Sequence, residues 1–135
     1  MTRRRRRWLV YLVALGLLGC GAAPLAGTGA REAAQAYFEA LIRRDWPTAY
    51  TLLHPESRRR LTADEFAGLA AAYRRRLGFE PEEVRIRACE EHGQDATAHV
   101  VIAGRLPRSP RHFKDALTLK RDDGLWKVVL PPKAR

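Results

Sequence analysis

Between residues 30 and 44 the apolar positions fall three and four apart. Ala34, Phe38 and Leu41 form one stripe, with Tyr37 and Ile42 beside it. That spacing predicts an amphipathic helix. Asp45-Trp46-Pro47 interrupts it, and Pro47 suits the first turn of a second, short helix through Leu53. His54-Pro55 ends that helix, because the residue before a proline is pushed towards extended backbone. Thr62 followed by Glu65 is a capping-box signature, with Leu61 and Phe66 placed as a hydrophobic staple. The third helix runs to Arg74, Arg75 and Arg76, cations suited to a helix C-terminus, and stops at Gly78.

After Pro81 the period changes from 3.6 to two. Val84, Ile86 and Ala88 alternate with Arg85, Arg87 and Cys89. His92-Gly93-Gln94-Asp95 reads as a turn, and Ala96, Ala98, Val100 and Ile102 carry the apolar face of a second strand. Phe113, Leu117 and Leu119 mark a third strand, and Asp122-Asp123-Gly124 a hairpin turn. Trp126, Val128 and Leu130 complete a fourth, stopped by Pro131-Pro132. Helices followed by consecutive antiparallel strands predict an α+β domain, with three N-terminal helices packed on one face of a sheet of about four strands.

The first thirty residues obey a different rule. Arginines fill positions 3–7, residues 8–19 are uncharged and mostly apolar, and small residues and Pro24 follow. This is the order of a secretory signal: basic, apolar, then a small-residue exit. Twelve helical residues reach only ~18 Å, short of a ~30 Å hydrocarbon core. An uncleaved anchor over residues 8–30 is the alternative, weakened by Pro24 and by glycines at 19, 21, 27 and 29. Leu17-Leu18-Gly19-Cys20 resembles the lipobox of bacterial lipoproteins. The resemblance implies cleavage between Gly19 and Cys20 and acyl chains on the Cys20 thiol, the one side chain nucleophilic enough to be alkylated near neutral pH. Arg5-Arg6-Arg7-Trp8-Leu9 is somewhat similar to a twin-arginine export signal, a pattern that any basic leader can contain. The expected organisation is a signal peptide over 1–19, a lipidated Cys20 with a flexible tether to residue 29, and a domain over 30–135. That places the domain outside the cytoplasm, lipid-anchored at a bacterial cell membrane or envelope.

Charge looks different once the leader is set aside. The chain has 25 basic and 15 acidic residues, a net of +10. Without arginines 3–7 it has 20 basic residues against 15 acidic, a net of +5. The nucleic-acid-like charge is largely a targeting signal, and no nucleic-acid partner is expected. With Cys20 acylated, Cys89 has no thiol to pair with inside the chain, and its strand context points to packing.

The stretches AAQAYFEALIRRDWPTAYTLLHPESR and LTLKRDDGLWKVV resemble the opening helices and closing hairpin of the nuclear transport factor 2-like superfamily, the fold of SnoaL-like polyketide cyclases and ketosteroid isomerase-like proteins. The resemblance covers residues 30–130. It implies a cone: helices laid on a curved sheet, enclosing a pocket that in the family's enzymes holds an acid or base. No catalytic motif carries over residue by residue, so no catalytic residue is assigned.

Four readings of chemistry remain. Asp115, between Phe113 and Leu117, either faces the pocket, where burial would raise its pKa, or sits solvated at the edge of a strand that begins at Ala116. Tyr37 either lines that pocket or is plain core. Arg105, Arg108, Arg111 and Lys114 recur every third residue among Pro107 and Pro110, so a polyproline-like backbone would set four cations on one side for anionic lipid or cell-wall polymer. His54 and His92 read as solvated and His99 as outward-facing; with His112 they share no metal-ligand spacing with one another or with cysteine, so no metal site and no cofactor are expected. The expected function is a non-catalytic binding or accessory module, touching an envelope protein, wall component or small apolar ligand. The alternatives are an isomerase-, cyclase- or dehydratase-type enzyme in the same cone, and a structural domain pairing through its sheet face into a homodimer.

Overall fold

The computed structural model describes residues 27–106 and 109–132. The leader, the Gly19/Cys20 cleavage and lipidation positions and Arg108 lie outside the described residues. Four helices come first: α1 (Ala30–Ile42), α2 (Trp46–Thr51), α3 (Pro55–Arg58) and α4 (Ala63–Leu77). The strands β1 (Glu80–His92), β2 (Asp95–Leu106), β3 (Ser109–Asp122) and β4 (Leu125–Val129) form one antiparallel sheet in the order β1-β2-β3-β4. The α+β architecture is the one the periodicities predict.

Local chemistry accounts for most boundaries. Thr62 Oγ1 accepts from the Glu65 amide at 3.2 Å while Glu65 Oε2 accepts from the Thr62 amide at 2.8 Å, the full capping box of α4. Gly78, in the left-handed region at φ 72°, ends it. Asp45 caps α2, its carboxylate accepting from the Thr48 amide at 3.3 Å. Two-residue turns at Gly93-Gln94 and Asp123-Gly124 join β1 to β2 and β3 to β4. Asp123 and Gly124 both have positive φ, the geometry that matches strand twist.

Three expectations need correction. Pro55 does not merely stop a helix: it opens α3, and His54 caps it by accepting from the Glu56 amide at its Nδ1, 3.2 Å away. Proline's fixed φ suits a first helical position as well as a break. His54 is therefore packed, not solvated, with 17 % of its side chain exposed. Second, β3 begins at Ser109, not near Phe113, which puts Asp115 in the middle of a strand. Third, β1 carries two bulges, between Pro81 and Glu83 and between Ile86 and Ala88. The second reverses the alternation: Ala88 pairs with outward His99, while Cys89 pairs with buried Ala98 and Glu91 with buried Ala96. An extra residue moves all later side chains to the other face and bends the strand.

The core lies between α1, α2, α4 and the concave face of the sheet. Phe38, Phe66, Leu53, Ile102, Leu119, Val100 and Val128 are buried there. Both sheet edges are covered. Along β1, Gln35 Nε2 donates to the Val84 carbonyl at 3.0 Å and Arg31 Nη1 to the Ile86 carbonyl at 2.5 Å. Along β4, the His54 amide donates to the Val128 carbonyl at 2.7 Å and the Val128 amide to the Leu52 carbonyl at 2.9 Å. Pairing these groups removes a template for aggregation.

Candidate functional site

Asp115 and Tyr37 both belong to the concave side of the sheet and the helices above it. Asp115 shares the face of Phe113, Leu117 and Leu119, because side chains two apart on a strand point the same way. It is half-buried, and it has partners. Tyr73, from α4, donates its hydroxyl to Asp115 Oδ2 at 2.9 Å, and the Ala116 amide donates to Oδ1 at 2.8 Å. The Tyr73 ring stands edge-on to Phe113, with centroids 6.1 Å apart, and the Arg76 guanidinium lies 5.7 Å from the Tyr73 centroid. Tyr73 was absent from the sequence-derived candidates. No local signal marks it, since its partner lies 42 residues away.

Tyr37 is 4 % exposed and packs edge-on to Phe38 at 5.4 Å and against Phe66 at 6.5 Å. Burial, and then the Asp115 charge, push both tyrosine hydroxyls above the usual phenol range. Both therefore stay protonated at physiological pH, and Tyr73 serves as a neutral donor to Asp115. The rings of Tyr37, Phe38, Phe66, Tyr73 and Phe113 pack against one another between the helices and the sheet. Asp115 bonded to Tyr73 joins α4 to β3 across that space.

The basic stretch takes a different form from the one its period of three suggests. Residues 105–106 and 109–114 are paired β-strand, with Arg105 opposite Pro110 and Arg111 opposite Gly104. Strand geometry has period two, so Arg111 lies on the face of Phe113 and Asp115, and Arg105 and Lys114 on the other. Cross-strand hydrogen bonding outweighs the proline signal at Pro110, the second residue of β3, which still pairs with Arg105. Arg105, Arg111 and Lys114, the described cations of this stretch, do not form one polyproline row. Arg105 also approaches Glu82 at 4.0 Å.

The polar groups at the N-terminal end of the domain converge on Thr28. Its amide donates to Glu91 Oε1 at 2.9 Å and its Oγ1 donates to Glu91 Oε2 at 2.8 Å. Thr28 Oγ1 in turn accepts from Arg121 Nη2 at 2.5 Å and from Trp126 Nε1 at 2.9 Å. One donor and two lone pairs are all a hydroxyl has. Glu91 also accepts from the Ala30 amide at 3.3 Å, capping α1, whose preceding Gly29 has no side chain to do so. These bonds hold Glu91 below the usual carboxylate range, the Thr28 backbone bond contributing most. Residues 27–29, expected as the end of a tether, are thus fastened to the sheet.

The remaining histidines, His92, His99 and His112, are exposed. Burial, then the Glu91 charge, raise the Cys89 thiol, which keeps it a packing group rather than a thiolate. Among the described residues, no three His, Cys, Asp or Glu side chains converge as a metal site would need. A groove of about 600 Å³ runs between α1 and β1, past Arg31, Gln35, Val84 and Ile86. Its Arg31 and Gln35 donors are those that cover the β1 edge. A second groove of about 420 Å³ lies where α1 ends and β1 begins, lined by Arg44, Trp46, Arg74, Arg75, Phe79 and Glu80 among others.

Known proteins agree with this architecture. A protein from Rhodopseudomonas palustris containing a SEC-C motif superposes with a TM-score of 0.56 at 16 % identity, covering 76 % of this chain and 77 % of that one. A nuclear transport factor 2-like protein from Campylobacter jejuni gives 0.56 at 15 % identity, over 74 % and 96 %. A protein of ketosteroid isomerase-like fold from Catenulispora acidiphila, solved with trimethylamine, gives 0.50 at 15 % identity, over 71 % and 80 %. Likeness at these identities concerns the fold alone. No curated protein sequence matches the chain. A family profile, Lumazine_bd_2, described as "Putative lumazine-binding", matches residues 27–130 and so begins where the Thr28 bonds begin. On that match the chain belongs to this lumazine-binding-like family, built on a nuclear transport factor 2-like fold.

Proposed function

We propose that the chain is a bacterial envelope lipoprotein whose cone-shaped domain is a non-catalytic binding module, held at the membrane by acyl chains on Cys20. The observation that carries the non-catalytic reading is the filled cone. Asp115 accepts from Tyr73 and from the Ala116 amide, and aromatic rings take the volume where a substrate would lie. Here the carboxylate acts as a tie between α4 and β3.

The lipid anchor rests on the lipobox-like Leu17-Leu18-Gly19-Cys20 after its basic and apolar leader. More than one acyl chain makes such attachment stable, each buried methylene contributing ~0.8 kcal/mol. From Cys20 to Gly27 the backbone can reach at most about 25 Å, so the Thr28 end of the domain stays near the bilayer. Anionic headgroups of that same membrane are poorly placed for Arg105 and Arg111, which lie at the opposite end of β2 and β3.

The test is the intact mass of protein purified from its own cells, measured denatured and then under native conditions. A denatured mass starting at acylated Cys20, and a shift of Cys20→Ser protein out of the membrane fraction, are expected. A mass starting at residue 1 or 2 overturns the lipoprotein in favour of an uncleaved anchor. Extra native mass identifies a bound ligand, including any flat heterocycle of the lumazine type. Turnover of a substrate that stops in Asp115→Asn protein overturns the non-catalytic reading.

A further inference from the structure

The second groove brings arginine side chains together with the partly buried rings of Trp46 and Phe79. Four segments meet there: the end of α1, the start of α2, the last turn of α4 and the first residues of β1. Arg74 is buried, with 8 % of its side chain exposed, and donates to the Ile42 carbonyl at 2.5 Å and to Glu80 Oε1 at 2.6 Å. It pins the α1 end, α4 and β1 together and neutralises Glu80. Arg44 stands at the rim, 3.9 Å from Glu80 Oε2 and 67 % exposed; its backbone is left-handed at φ 60°. Arg75 is exposed and makes no side-chain hydrogen bond or ion pair among the described residues. Three arginines and one carboxylate thus line the groove, leaving two positive charges in excess.

The walls are set by packing. Trp46 and Phe79 are both half-buried against the core. Phe79 is held down because β2 carries Gly104 beneath it: a Cβ there would overlap the Glu80 carbonyl oxygen and press on the Phe79 ring. The groove is about 420 Å³, room for a small organic molecule and far more than an inorganic anion fills.

We infer that this groove binds a small, flat organic monocarboxylate, its carboxylate on Arg75 and Arg44 and its apolar body against Trp46 and Phe79. The inference deepens the binding-module reading and rests on it, giving that module a site and a ligand class. A guanidinium presents a planar fork that matches a carboxylate in two parallel bonds. Glu80 in the same groove opposes a second negative charge, which favours a monoanion. The indole and phenyl faces favour a planar body over a flexible chain.

The experiment uses the full chain in detergent, isotopically labelled, with the Trp46 indole N–H resonance assigned by its loss in Trp46→Phe. The probes are 2-naphthoate, its neutral carboxamide, and inorganic phosphate. Expected is a saturable shift of the Trp46 resonance with 2-naphthoate, with a dissociation constant below about 1 mM. Arg75→Gln, an exposed change that spares the fold, weakens binding about tenfold, in line with one charge-assisted pair. The carboxamide and phosphate leave Trp46 unmoved. The inference is overturned by no shift with naphthoate, by equal binding of the carboxamide, by an equal shift with phosphate, or by unchanged affinity in Arg75→Gln. If the naphthoate test fails while native mass still shows a retained ligand, the binding module stands and only this site is removed.

Discussion

The two ends of the domain hold the same residue types in opposite states. At the N-terminal end, Arg121 donates to Thr28 and lies with its guanidinium carbon 4.9 Å from the Trp126 ring centroid. Its Nε is shielded and unpartnered. Trp126 donates its indole N–H to the same hydroxyl, and Glu91 is fully engaged. At the far end, Arg75 and Trp46 make no side-chain hydrogen bond within the described residues, and Arg44 makes only a long approach to Glu80. An arginine beside a tryptophan is thus structural or available according to whether the fold already occupies its donors. Composition cannot distinguish the two.

The largest expected effect joins the far end to overall stability. Gly104→Ala puts a methyl group into the Glu80 backbone and the Phe79 ring, and backbone cannot yield as a side-chain tip can. We expect a loss of about 3 kcal/mol, as for overpacking of a tight site, measured by chemical unfolding. The Trp46 resonance should move with it. A loss under half a kcal/mol would mean that Phe79 is not held by this contact.

Next comes Thr28→Val, similar in shape but without the hydroxyl. It strands the buried indole N–H of Trp126 and removes one bond from Glu91 and one from Arg121, an expected cost of about 2 kcal/mol. Thr28→Ser keeps the hydroxyl and should lose far less. Equal losses in the two variants would show that the methyl group, not the hydroxyl, holds this end.

Tyr73→Phe removes the bond to Asp115 while keeping the ring against Phe113, and should cost about 1 kcal/mol in unfolding measurements. A rise in stability would mark the pair as held for something other than packing, and would reopen the enzymatic reading.

The smallest effect is one of pH. The folded-state pKa of Glu91 is depressed below its unfolded value, so its contribution is present above the unfolded value, ~4.3, and is lost as pH falls through the lower folded value. Urea midpoints measured downward from pH 7 should fall more steeply in this acid window for the parent than for Thr28→Val. Parallel curves would remove the Thr28 hydroxyl as a contributor and leave the residue-28 amide, which valine keeps.

Much of the fold was legible because its signals are local. The capping box at Thr62 and Glu65, the Gly78 stop and the Asp123-Gly124 turn each lie within four residues. The apolar periodicities predicted every strand and all helices except α3. What escaped was non-local or one residue out of phase. The bulge at Arg87 turned Cys89 and Glu91 inward, against the alternation read from Val84 and Ile86. The tyrosine that meets Asp115 and the carboxylate that caps α1 come from 42 and 61 residues away. Period-three cations at 105–114 suggested a polyproline row, but ladder pairing with β2 imposed period two.

The amino-acid sequence alone was enough for the class of fold and for the order of its elements, because each of these is written in residues adjacent along the chain. Folding supplied the rest. It packed the rings of Tyr37, Phe38, Phe66, Tyr73 and Phe113 together, tied Asp115 to Tyr73, and bonded Arg121 and Trp126 to Thr28 at one end while leaving Arg75 and Trp46 at the other without side-chain hydrogen bonds among the described residues. Whether a polar side chain is available to a ligand depends on which distant groups reach it first, and that is a property of three-dimensional packing.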